Sequence, residues 1–198
     1  DTVGRMRAAG YRAFKIKVAF GEETDLGSLR PVAADLPQGE RLMVDANQGW
    51  DLRTACAMAP KLAGFGLDWI EEPLMADRPL AEWTQVAAVA PARLAVGENL
   101  RGAGPFQEAI DSGLFGVIQP DAAKWGGHSG CLPVALSART SWVAVLACSI
   151  RCTFWPRCAA LACSRSTQTR IPCAKASCRT LFPSVTAASA FPAGKDSV

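Results

Sequence analysis

The chain has 198 residues, 49% of them hydrophobic, and a formal net charge of +3, enough for one domain with a sizeable core. No apolar run reaches the roughly 20 residues needed to span a bilayer, and no secretory leader is recognisable, which points away from membrane and disulfide-framed secreted classes and toward a cytoplasmic protein. The modest net charge hides a split: 17 of the 18 acidic residues lie between Asp1 and Asp121, whereas eight Arg and Lys but only Asp196 follow Leu136.

The chain opens on a helical pattern, "DTVGRMRAAG", as a piece of something larger would. Short apolar strands follow at 13–18, 41–47, 67–73, 93–99 and 116–122, each running into polar residues. Between them lie segments with apolar residues at helical spacing and Gly or Pro at their ends. Corresponding points, Lys17, Asp45, Glu71, Glu98 and Asp121, are 28, 26, 27 and 23 residues apart, the length of one strand-plus-helix unit. Alternating βαβα with near-continuous apolar strands predicts an α/β fold with a parallel sheet. Polar residues at successive C-terminal strand ends favour a partial (β/α)₈ barrel of the TIM type, with these strands as its second to sixth. No G-x-G-x-x-G follows a strand, which weighs against a dinucleotide-binding sheet.

Three of the strand ends carry Asp45, Glu71 and Glu98. Carboxylates converging on one mouth repel one another unless a cation neutralises them, and oxygen ligands in this number suit Mg²⁺. Lys15 and Lys17, two apart in "FKIKV", share one face of their strand. They form either an exposed edge or a pair on the barrel's inner face, where each ammonium depresses the other's pKa toward the range of a useful base. Asn47 shares a face with Asp45, as a ligand neighbour or a turn residue. Asp121 and Lys124 follow the fifth strand, where a helix-start cap and a surface lysine are the plain alternatives.

"KIK", "VDANQ", "WIEEP", "GEN" and "PDAAKWGG", in this order, resemble the enolase superfamily, in its mandelate racemase and muconate lactonizing branch, over residues 1 to about 135. The resemblance implies a modified (β/α)₈ barrel that binds Mg²⁺ through Asp45, Glu71 and Glu98. It implies an enzyme that removes the proton α to the carboxylate of a small substrate such as an acid sugar, through a metal-stabilised enediolate, giving racemisation, dehydration or cycloisomerisation. Lys17 matches the family's lysine base and Lys15 the neighbour that tunes it. Asp121 matches the acid that orients a histidine base on the next strand, and Lys124 a position that is the base in some members. Intact relatives are expected to be homo-oligomeric, with no nucleic-acid or membrane partner. An N-terminal capping domain that shapes substrate choice is missing from the expected layout.

After about Ala135 the alternation stops. The histidine and glutamate that the family places on its last two strands have no counterpart, and the single histidine, His128, reads as a loop residue. Residues 148–178 instead hold six of the eight cysteines, spaced 4, 6, 5, 10 and 5 apart. No C-x₂-C occurs there, so a zinc or nucleic-acid grip is the weaker reading. Reading Ser164 to Lys175 one base earlier, with third bases chosen freely, permits "EVDSNPNPLREG", which resembles the family's eighth-strand segment. The same shift places a histidine across Arg139 and Thr140. Residues 136–198 are therefore expected to be an out-of-frame, poorly structured tail. The alternative to an active enzyme is that the chain is an inactive, truncated relative of one.

Overall fold

The structure, a computed structural model, describes residues 2–138, 142–144 and 162–163, the last two stretches by their backbone. Helix α1 (Thr2–Ala8) leads into β1 (Ala13–Lys17), α2 (Glu22–Ala34), β2 (Arg41–Asp45), α3 (Leu52–Met58), β3 (Trp69–Glu71), α4 (Leu80–Val89), β4 (Arg93–Val96), α5 (Ala103–Ser112), β5 (Phe115–Ile118) and α6 (Gly127–Ser137). Strands β6 (Trp142–Ala144) and β7 (Ala162–Cys163) follow. The helical segment expected between the strands at 41–47 and 67–73 is split, because Pro60 lacks the N–H that would continue α3; residues Ala59–Phe65 tighten into a 3₁₀ turn.

The strands stand in chain order, β1 through β7, with every pair from β1 to β6 parallel and β7 antiparallel to β6. A doubly wound sheet would reverse its order at a switch point. Sequential order without reversal is the wall of a barrel, as the strand spacing predicts. The sheet also gains β6 beyond the boundary expected at residue 135: Val117 pairs with Trp142 and Ile118 with Val143. "WVA" has no polar alternation, and a parallel strand needs none. The rest of 136–198, with most of its cysteines, lies outside the described residues. His128 falls in the first turn of α6, exposed, where a loop was expected.

Alternation along each strand sorts the apolar residues into two layers. Leu42, Val44, Ile70, Leu94, Val96 and Ile118 meet Leu29 of α2, Trp83 and Val86 of α4 and Phe106 of α5 in one continuous core. Trp83 contacts Phe115 edge to face at 5.1 Å. This layer pins the helices to the outer side of the sheet and leaves Lys15, Asp45 and Glu71 on the inner side. The register sets Lys17, Asp45 and Glu71 level, Lys17 pairing with Asp45 and Asp45 with Glu71, while Lys15 lies two residues deeper beside Met43.

Candidate metal centre

Apart from Lys15, which sits in the middle of β1, the functional side chains stand at or just beyond the ends of strands, and the backbone there is unusual. Asn47, Gln48 and Glu72 have φ of 46°, 65° and 39°, values that non-glycine residues adopt rarely and that gather at functional sites. Asn47 donates its backbone N–H to Asp45 Oδ1 at 2.8 Å, which fixes the carboxylate's rotamer. Its own side chain is exposed, so its contact with the site runs through the main chain. Glycine is required at Gly97: at φ 131° a Cβ there would sit 2.7 Å from the backbone nitrogen of Gln119. That close approach folds the chain after β4 back over the strand ends and delivers Glu98.

Asp45, Glu71 and Glu98 each offer a carboxylate oxygen within 4.8 Å of the other two. Asp45 and Glu71 are buried, at 1% exposure each, and no other group among the described residues could hold a metal ion in this way. The trio expected from the strand ends is thus brought together.

Three ammonium groups answer its charge. Lys15 Nζ lies 2.6 Å from Glu71 Oε1 and 3.2 Å from Asp45 Oδ2, while Lys17 Nζ lies 2.6 Å from Asp45 Oδ2. Lys124 Nζ donates to Glu98 Oε1 at 2.7 Å. Burial would lift the Asp45 carboxyl, but Lys17 and Lys15 outweigh it and hold its pKa below the ordinary carboxylate range. Burial pulls the Lys15 ammonium down, and Glu71 and Asp45 outweigh that, raising its pKa. The depression of Lys15 expected from its neighbour Lys17 is therefore absent: carboxylates lie at contact distance and govern the sign.

Further residues complete the site that strand-end counting does not reveal. Glu71 Oε2 accepts from Trp69 Nε1 at 3.1 Å and from Gln119 Nε2 at 3.2 Å. Glu72, 1% exposed, binds the main chain and side chain of Asn99. Burial raises its pKa against the Asn99 hydrogen bonds, with Glu98 and Glu71 adding to the rise. The sequence shows it only as the second acid in "WIEEP", beyond the end of β3. Asp121, 3% exposed, accepts from the N–H of Ala123 at 2.8 Å, closing the turn ahead of α6. The place expected for its histidine partner, Arg139 and Thr140, is outside the described residues.

The donor set fits a hard divalent cation. Three anionic oxygens converge, and Asp45 Oδ2 meets its two ammonium neighbours without a well-directed hydrogen bond. No described helix is long and apolar enough to cross a membrane.

Comparison with known proteins agrees with this layout. Residues 1–190 match the family described as enolase C-terminal domain-like. The chain is 35% identical over 140 residues to D-galactarolactone cycloisomerase of Agrobacterium fabrum, covering 71% of this chain and 37% of that enzyme. A mandelate racemase/muconate lactonizing enzyme from Bordetella bronchiseptica superposes with a TM-score of 0.68 at 51% identity, over 70% of this chain and 38% of that one. L-talarate dehydratase from Polaromonas sp., solved with Mg and L-glucarate, superposes with a TM-score of 0.62 at 32% identity, over 68% of this chain and 38% of its own. The chain thus spans little more than a third of the length of these relatives.

Proposed function

The chain belongs to the enolase superfamily, in its mandelate racemase and muconate lactonizing branch, and on that premise we propose that it carries the metal-binding wall of an enzyme that removes the proton next to a carboxylate. The observation that carries this reading is the trio Asp45, Glu71 and Glu98, whose oxygens lie within 4.8 Å of one another between three lysines. We assign Mg²⁺ to the trio. When bound, it supplies positive charge that holds the carboxylate of a substrate and favours the negative charge developing there during proton loss.

The chain's own residues do the rest. Lys17 reaches from β1 to the mouth with half of its side chain exposed, and we assign Nζ to taking the α-proton. Lys15 lies deeper and bridges two of the three carboxylates, which orients them. Lys124 approaches from beyond β5, on the opposite flank of the trio, so a proton can be exchanged on either face of a substrate held between the two. The substrate class is a small hydroxy carboxylate of the acid-sugar type, by likeness to the cycloisomerase and the dehydratase.

Titration with Mn²⁺ as a spectroscopic probe, followed by competition with Mg²⁺, tests the metal assignment. One ion per chain is expected, with Asp45→Asn, Glu71→Gln and Glu98→Gln each weakening it at least tenfold. Absence of binding at millimolar metal would refute the centre. Exchange of α-protons for deuterium across a panel of aldaric and aldonic acids tests the chemistry, with Lys17→Met expected to abolish exchange on one face.

A second reading concerns the segment after residue 135. We infer that it is the shifted frame of the barrel's last units, supported by the loss of acidic residues there and by curated relatives aligning over 129 to 144 residues. The match to the family through residue 190 and the parallel placement of β6 weigh against it. The gene sequence decides: codons for Ser164 to Lys175 that cannot encode the shifted peptide sink the idea.

A further inference from the structure

Glu72 spends both carboxylate oxygens on one residue. Oε1 accepts the Asn99 backbone N–H at 2.8 Å and Oε2 accepts Asn99 Nδ2. Because Nδ2 is bound to a carboxylate, the other end of that amide is fixed as the acceptor Oδ1, and it receives Lys124 Nζ at 3.0 Å. The same ammonium donates to Glu98 Oε1 at 2.7 Å. The four side chains therefore form a directed line: carboxylate, amide, ammonium, carboxylate. Its first member is anchored through its main chain, with the Glu72 N–H on Ala95 O at 2.9 Å and the Glu72 carbonyl accepting Gln48 N–H at 2.7 Å. Its last member sits on a loop, the only one of the three trio carboxylates that does not end a strand.

We propose that Glu72 is a positioning residue, acting through Asn99 and Lys124 to hold Glu98 in place as the third carboxylate of the centre. Asp45 and Glu71 are set by sheet register and need no such device. Glu98 has no register partner, and Glu72 supplies the reference point from the neighbouring strand. This inference rests on the metal reading above and adds to it a residue that touches no ion.

The hydrogen-bond directions give a specific test. In Glu72→Gln the introduced amide nitrogen faces Asn99 Nδ2, donor against donor, so the amide of Asn99 turns and Lys124 loses its acceptor. In the double variant Glu72→Gln with Asn99→Asp, every bond is restored with one donor and acceptor exchanged. The introduced glutamine accepts the backbone N–H of position 99 at its Oε1 and donates from its Nε2 to the introduced aspartate. The second oxygen of that aspartate then accepts Lys124. The net charge equals that of the parent.

Mn²⁺ affinity and melting temperature are measured on the full chain for the parent, both single variants and the double. We expect Glu72→Gln to weaken Mn²⁺ about 10- to 100-fold, as loss of outer-sphere support does, and the double to return within about threefold of the parent. Unchanged affinity in Glu72→Gln, or a double no better than that single, overturns the proposal. So does tighter binding in Asn99→Asp alone by the factor seen in the rescue, since added charge would then explain it. If Glu72→Gln does not fold, Lys124→Met replaces it: a tenfold loss is expected, and parental affinity refutes the line. A parent that takes no Mn²⁺ refutes the metal reading itself. The line is then judged by melting, where the single must fall and the double recover.

Discussion

Replacing Gly97 by alanine tests the turn that delivers Glu98. The new methyl would sit 2.7 Å from Gln119 N and 2.9 Å from Gln119 C, backbone atoms that cannot rotate away, at a φ of 131° that L-residues avoid. The strained dihedral costs about 1–3 kcal/mol and the overpacking about 1–3 kcal/mol more. A central value of about 4 kcal/mol corresponds to a melting decrease of about 8–16 °C for a chain of this size. The strain falls on the Gln119 N–H, which donates to Val96 O at 2.8 Å, and through the Gln119 side chain on Glu71. Metal affinity should drop with stability. Gly27 is the control, since its Cβ would meet nothing within 4 Å on the exposed face of α2. Alanine there should stabilise by about 0.5–1 kcal/mol through backbone entropy alone. Melting by circular dichroism, with Mn²⁺ titration on each variant, reads both effects. A Gly97→Ala protein that melts within about 2 °C of the parent would refute the reasoning, because the cited contacts leave no inexpensive relaxation.

Ile70 is fully buried on the helix-facing side of β3, so Ile70→Ala should cost about 2–5 kcal/mol in denaturant unfolding. Leu132, 59% exposed, should change by no more than about 0.5 kcal/mol on the same substitution. Asp51 caps α3 by accepting the Thr54 N–H at 2.7 Å, and the Thr54 hydrogen bonds hold its pKa below the ordinary value. A depressed carboxyl contributes stability above its unfolded pKa and loses it as pH falls through the folded one. The parent should therefore lose melting temperature relative to Asp51→Asn as pH drops below about 4, measured in matched melts, and parallel curves would contradict the assignment.

The strand positions are legible in the sequence because buried parallel strands are compact apolar runs and their spacing repeats. The expected strand 41–47 contains β2, and Asp45 stands at its last residue. The trio follows from the same periodicity. Directional features are less legible. Sequence sets Lys15 against Lys17, its neighbour along the chain, while the structure sets it against Glu71, 56 residues away. Glu72 shows no separate role in the sequence, because its partner Asn99 is defined by a turn around Gly97 and no periodicity reports such a turn. β6 is hidden for the opposite reason, being an apolar run too short to distinguish from the basic, Cys-rich sequence around it.

The lysines also bear on how the site comes into being during synthesis. Parallel strands in chain order mean that the ribosome delivers the wall from one edge to the other, over about 4–16 s between Lys17 and Glu98 at usual elongation rates. Lys15 and Lys17 emerge ahead of Asp45 and Glu71, the two members of the trio that become buried, so each of these acids arrives with its counter-charge already made. Glu98 alone precedes its lysine, and it is also the acid that keeps contact with water, 21% of its side chain remaining accessible. Within the trio, no buried carboxylate therefore waits for its lysine, and the wall can accumulate strand by strand before any metal reaches it.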